Sequence, residues 1–176
     1  TLTGHSGKVM SSKFLGDSNR VVSGSLDRTL KVWDLRSKAC ISTKFAGSSC
    51  HDVVAQSENS VVSGHFDKKV RMWDTRSGGT EPVSEVNVGG KVTSLDISRD
   101  GNWLVVCSRD DLLTLVDIRM GQTAKTFGTE GFHVGCDWTR AQFSPDSQYV
   151  TVGSSDGTVY IWDINNSTKL EAVLRE

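Results

Sequence analysis

Four stretches of this chain repeat one another, and no other feature limits the fold as tightly. They run 23–34 (SGSLDRTLKVWD), 63–74 (SGHFDKKVRMWD), 106–117 (VCSRDDLLTLVD) and 152–163 (VGSSDGTVYIWD). Each reads as a strand, a turn carrying an aspartate, then a second strand closing on an aromatic or apolar residue followed by Asp. The closing residues Trp33, Trp73, Val116 and Trp162 lie 40, 43 and 46 residues apart, and Phe14, Ile97 and Phe143 each stand 19 residues before their anchor. Spacing this regular marks one structural unit used four times.

Within a unit the apolar positions alternate with period two: Leu30 and Val32, then Val159 and Ile161, are set against Thr29, Lys31, Thr158 and Tyr160. That predicts strands with one buried and one wet face. Turn signals at Gly16-Asp17-Ser18, Arg99-Asp100-Gly101 and Pro145-Asp146-Ser147 add a hairpin before each second strand, so a unit is expected to hold four antiparallel strands. Val and Thr far outnumber Ala, and 17 Gly are spread along the chain. The fold class is therefore all-β: a sandwich, barrel or propeller.

Several function classes recede on the same evidence of residues. Lys and Arg number 20 against 21 Asp and Glu, a net charge of −1, which offers no excess to neutralise a nucleic-acid backbone or an anionic membrane. No apolar run approaches the ~20 residues of a membrane span, and no charged-then-apolar leader is visible, so a soluble chain is expected. The four cysteines, Cys40, Cys50, Cys107 and Cys136, form no C-x-x-C pair and read as reduced thiols of a cytoplasmic protein. There is no G-x-S-x-G elbow, no phosphate loop and no H-E-x-x-H helix. Gly128, Gly131 and Gly135 read as a loop between units, His133/Cys136 and Cys50/His51 as pairs too few for a metal, and Asn165-Asn166 as an ordinary turn. No enzyme, cofactor or metal is expected.

Gly4-His5, followed by Ser23, Asp27 and Trp33-Asp34, resembles a complete WD repeat, one blade of a β-propeller. The resemblance implies a hydrogen-bonded chain of His5, Ser23, Asp27 and Trp33, which suits a buried indole N–H and a buried carboxylate that each need a partner. The second blade keeps Ser63, Asp67 and Trp73 but has Gly47-Ser48 where Gly-His would stand. The third has Val106 and Val116, and the fourth keeps Asp156 and Trp162 beside Val152. These residues are expected to hold the blades together.

The stretches 24–37, 45–50, 63–69, 107–113 and 137–140, the last reading Asp137-Trp138-Thr139-Arg140, are similar in order and spacing to the C-terminal propeller of the autophagy-related 16-like proteins. That resemblance implies a seven-bladed propeller, of which this chain would be a segment of about four four-stranded blades, roughly 3–45, 46–88, 89–127 and 128–176. Thr1-Leu2 reads as the tail of a preceding outer strand and Thr168 to Leu174 as the last outer strand. Two raw sheet faces would then be exposed, and the chain alone is expected to be partly associated or marginally stable.

In such a fold the hairpin turns before each structural Asp and the openings of the innermost strands ring the central channel: Leu26, Phe66, Arg109 and Ser155, with Lys8, His51 and Lys91. An aromatic beside cations suits a protein partner. The resemblance assigns Phe66, Lys91 and His51 to a face that recruits membrane-protein tails, and Arg109 adds a fourth partner-binding candidate. It implies an adaptor that brings ubiquitin-like lipidation machinery to autophagic or endolysosomal membranes. Its partners would be cytosolic tails and the autophagy conjugation machinery, membrane association would be indirect, and dimerisation would lie outside this chain. An alternative rests on Trp33-Asp34-Leu35-Arg36, Trp73-Asp74-Thr75-Arg76 and Val116-Asp117-Ile118-Arg119, which resemble the box by which some WD-repeat proteins dock on a cullin-type ubiquitin ligase. On that reading Arg36, Arg76 and Arg119 are the docking residues; otherwise they pair with carboxylates between blades.

Overall fold

A computed structural model describes residues 1–166 and 170–174. Every regular element among them is a β-strand, and the strands form four antiparallel four-stranded meanders. The first sheet is β1 (Val9–Phe14), β2 (Arg20–Ser25), β3 (Thr29–Asp34) and β4 (Ala39–Phe45); the second is β5 (Cys50–Ala55), β6 (Ser60–His65), β7 (Lys69–Asp74) and β8 (Ser84–Asn87). The third is β9 (Val92–Ile97), β10 (Trp103–Ser108), β11 (Leu112–Asp117) and β12 (Gln122–Phe127); the fourth is β13 (Ala141–Phe143), β14 (Tyr149–Gly153), β15 (Val159–Asp163) and β16 (Leu170–Leu174). Each sheet is a blade of the kind that builds β-propellers. The strand expected from Thr168 to Leu174 is β16 from Leu170 on, with Thr168 and Lys169 outside the described residues. Residues 1–5 form no strand, contrary to the outer-strand reading of Thr1-Leu2; they lie along the first sheet, where Leu2 and Thr3 help close a cavity over Val21 and Trp33.

The chain divides into two compact units, residues 1–85 and 86–176, of two sheets each. In the first, Leu15, Val22, Leu30 and Val32 of the first sheet pack on Cys50, Val53, Val61 and Trp73 of the second. Gly24 allows the approach: a Cβ there would lie 2.5 Å from Cys50 Sγ. In the second, Val105, Cys107, Leu113, Leu115 and Phe127 pack on Ala141, Phe143, Val150, Val152, Tyr160 and Trp162, with Phe132 from the β12–β13 loop between them.

One-sided burial holds in β14 and β15, where buried positions alternate with more exposed ones, and fails in β5, β7, β10 and β11. Val70, Arg71, Met72 and Trp73 of β7 are all buried, as are Leu113 to Asp117 of β11. Strands covered on both faces lose the alternation that a half-wet strand keeps. In β15 the buried pair is Tyr160 and Trp162, while Val159 stays 38% exposed.

The four hairpins share a backbone requirement that their sequences disguise. Five residues before each anchor the chain is left-handed: Arg28 (φ 69), Lys68 (φ 66), Asp111 (φ 61) and Gly157 (φ 82). Only the last is glycine, so the turn geometry is imposed by the sheet at some local strain.

A lysine from an outer strand also ties each pair of sheets. Lys44 of β4, almost fully buried, donates to the carbonyls of Ser77 and Gly79 beyond β7. Lys125 of β12 donates to those of Ile164 (2.8 Å) and Asn165 (3.1 Å) beyond β15. Lys44 lies opposite Leu30, three residues after the bulge at Ile41, and Lys125 opposite Leu115, directly after the bulge at Ala124.

Candidate functional site

The aromatic anchors come first, because they set the blade rims. Beside β3, His5 Nδ1–H donates to Asp27 Oδ2 (2.7 Å), Ser23 Oγ–H donates to His5 Nε2 (2.8 Å), and Trp33 Nε1–H donates to Ser23 Oγ (2.8 Å). Burial raises the Asp27 carboxyl, but hydrogen bonds from Thr29, His5 and Ser6 outweigh it and hold the group well below the usual carboxylate range.

The second sheet solves the same problem differently. Trp73 Nε1–H donates to Ser63 Oγ (2.7 Å), and Ser63 Oγ–H donates to His65 Nε2 (2.7 Å). His65 Nδ1–H then donates to the carbonyl of Ser48 (3.1 Å), the residue that stands in the Gly-His position. The imidazole missing from the preceding loop is thus supplied by the blade's own β6. Asp67, expected in this chain, instead pairs with Arg71 (2.6 Å), which also binds Glu85 (2.7 Å). In the fourth sheet Asp156 caps its own turn through Thr158 N (3.1 Å), and Trp162 sits between Phe127, Phe132 and Tyr160 rather than beside a serine.

These relays brace the turns that carry the docking candidates. In the first unit Phe66 opens the β6–β7 turn and is 59% exposed, its N–H donating to Ser49 O (3.0 Å). His51 is buried at 6% exposure beneath it, the two rings stacked at 6.4 Å. His51 therefore supports Phe66 and does not itself present a surface.

In the second unit Lys91 and Arg109 meet: Arg109 N–H donates to Lys91 O (2.9 Å). Gly90 permits this, since a Cβ there would lie 2.6 Å from the backbone nitrogen of Asp110. Lys91 Nζ pairs with Asp137 (2.6 Å), and the Arg109 guanidinium donates to Val134 O (2.6 Å), while Asp111 accepts from Val134 N (2.6 Å). The β12–β13 loop is thereby pinned, and it displays Trp138 at 78% exposure, the most exposed of the large hydrophobic side chains described. Sequence reasoning named Trp138 only within the stretch 137–140 and gave it no docking role. Two of the three box arginines pair through their side chains with their own aspartates. Arg76 binds Asp74 (3.1 Å) while 71% exposed, Arg119 binds Asp117 (3.4 Å), and the Arg36 backbone N–H caps Asp34 (3.1 Å). Among the described residues no group of three or more His, Cys, Asp or Glu could hold a metal, and no helix is long and apolar enough to cross a membrane.

The profile of the family described as "WD domain, G-beta repeat" matches residues 1–34, 82–117 and 125–163. The chain belongs to the WD-repeat family. The matched spans leave out most of the second sheet, where the rewired His65 relay lies. The chain is 42% identical over 178 residues to Protein tipD of Dictyostelium discoideum, covering 99% of this chain and 29% of that protein. It is 36% identical to Autophagy-related protein 16 of Arabidopsis thaliana (100% of this chain, 35% of that one). It is 44% identical to Autophagic-related protein 16.2 of Caenorhabditis elegans (99% and 33%). The chain thus spans about a third of the length of these curated relatives.

Proposed function

We propose that this chain is the docking part of a non-enzymatic adaptor, binding protein tails on its blade rims and so bringing ubiquitin-like lipidation machinery to membranes. The observation that carries the reading is Phe66, an aromatic held out in solvent on a buried histidine, in a WD-repeat chain two of whose relatives are named for autophagy. An exposed, pre-positioned ring costs little to order on binding and removes apolar surface from water. Lys91, Arg109 and Trp138 supply the same mixture of cation and aromatic in the second unit. The lipidation chemistry belongs to partners, the cytosolic tails and conjugation machinery bind as proteins, and the adaptor works in the cytoplasm at autophagic or endolysosomal membranes. The relatives' further length accommodates a dimerising region outside this chain.

The test is calorimetric titration with membrane-protein tail peptides. Phe66→Ala and Lys91→Ala are each expected to weaken binding by at least ~1 kcal/mol, about fivefold, with unchanged melting temperature. If Phe66→Ala unfolds the protein, the ring is core and the reading fails. A second reading, a substrate receptor of a cullin-type ubiquitin ligase, is favoured only by the exposed forks of Arg76 and Arg119. Recovery of the cullin adaptor in a pull-down, lost on Arg76→Ala, would replace the first reading with it.

A further inference from the structure

The second unit holds a cleft of about 380 Å³ at the ends of its sheets opposite the Arg109 turn, lined by Arg99, Asp100, Trp103, Asp146, Gln148 and Asn165 among others. Its walls are tied to one another. Arg99 N–H donates to Ser147 Oγ (2.9 Å), joining the β9–β10 turn to the β13–β14 turn. Ile164 N–H donates to Gln148 O (2.9 Å) and Asn165 Nδ2 to Gln148 Oε1 (2.8 Å), fixing the segment after β15 to the same turn. The opening is therefore built and does not depend on a ligand to form.

The repeat supplies its own control. Arg20 begins β2 opposite Asp34, and its guanidinium crosses to Asn59, one residue before β6 (3.3 Å). The equivalent positions in the second unit are Trp103, which begins β10 opposite Asp117, and Gln148, one residue before β14. At this place in the fold the first unit seats a guanidinium of its own, and the second offers an indole wall instead. Trp103 is half-buried against the core and lines the cleft.

The charges select the ligand. Two carboxylates line the cleft against one guanidinium. Asp100 is engaged on both oxygens, by Ser98 and Asn102. Asp146 takes Ser144 Oγ (2.6 Å) and Gln148 N (3.1 Å) on Oδ1 alone. These bonds hold both carboxyls below their ordinary range, so both are charged at neutral pH. A planar cation can lie on an indole face and still turn its N–H groups to a carboxylate, which a carboxylate or an apolar ligand cannot do here.

We propose that this cleft is a second binding site, for an arginine side chain of a partner protein, with its guanidinium on Trp103 and its N–H groups toward Asp146 Oδ2. It occupies the place that Arg20 fills in the first unit. The site is independent of the Phe66 rim, so either can fail alone.

The test follows the Trp103 indole N–H by nuclear magnetic resonance of the 176-residue chain, assigned through Trp103→Phe. The probe is the peptide acetyl-Gly-Gly-Arg-Gly-Gly-amide, with citrulline and glutamate counterparts. The arginine peptide is expected to shift the Trp103 signal with millimolar affinity, and the citrulline peptide to bind at least about fivefold more weakly. Asp146→Asn is expected to weaken the arginine peptide about threefold or more, and Arg99→Ala, which removes a like charge, to strengthen it about twofold. Both side chains are exposed, so the folded spectrum is retained, and Phe66→Ala leaves the titration unchanged. Tighter binding of the glutamate peptide, indifference to Asp146→Asn, or no Trp103 shift up to about 10 mM arginine peptide would overturn the proposal, since charge pairing and stacking together require all three responses.

Discussion

Taking the protein from pH 7 to about pH 4.5 is expected to cost the first unit about 2 kcal/mol of unfolding free energy through one side chain, His65. Burial, and then the positive charge of Arg71, push its imidazole down to about 4, because the protonated ring would be desolvated and would lose the acceptor it offers to Ser63. In the unfolded chain the ring titrates near its ordinary 6.5. Between the two values the unfolded state binds a proton that the folded state refuses. The stabilisation is therefore complete above about pH 6.5 and drains away as the pH falls towards 4. Asp27 has the opposite disposition, its carboxyl being depressed, so its contribution is lost only lower, as the pH falls through and below the ordinary carboxylate range. The two windows are separate. Urea unfolding at pH 7, 5.5 and 4.5 checks this: the wild-type midpoint should fall across the series, whereas His65→Asn should be weaker at pH 7 by ~1–2 kcal/mol and nearly flat below it. Parallel slopes would mean that His65 is not the buried neutral link between Ser63 and Ser48.

That histidine shows how far the sequence could be read. The four-sheet plan was legible because anchor spacing is a covalent fact, and Trp33, Trp73, Val116 and Trp162 each stand one residue before the end of the third strand of a sheet. The His5 relay was legible because its members stand at the intervals of a complete repeat. The second relay was not, because Ser48 replaces a histidine and the substitute comes from position 65, whose counterpart in the first blade is Ser25; only the fold shows that both routes end at a serine under an indole. Burial was legible for Phe66, whose turn position implies exposure, and misleading for His51, which the same logic placed at the surface although β5 is covered on both faces. The exposure of Trp138 was illegible for a different reason. Its exposure is set by Asp137 reaching Lys91 and by Val134 lying between Arg109 and Asp111, contacts across more than twenty residues that no local pattern encodes.

The largest single effect is expected at Trp162, where Trp162→Ala should cost the second unit ~3–5 kcal/mol. The indole is 2% exposed and stacks on Tyr160 (5.5 Å, 15° between planes) while Phe132 meets its face edge-on (5.3 Å, 76°). Removing it deprives both rings of their neighbour and opens a cavity that Val150 and Val152, each in regular sheet pairing with β15, cannot move to fill. Trp162→Phe separates packing from hydrogen bonding. With Val152 where the first two blades have a serine, no hydroxyl stands at that position to be abandoned, and the loss should stay near ~1–2 kcal/mol, the difference in buried apolar area. At Trp73 the same Trp→Phe change also strands Ser63 and His65 in the core, adding ~1–3 kcal/mol to the same loss of area. Thermal or urea unfolding of the two phenylalanine variants side by side decides the matter: equal losses would show that the serine relay contributes nothing beyond packing, and a larger loss at Trp73 that it braces the turn from which Phe66 projects.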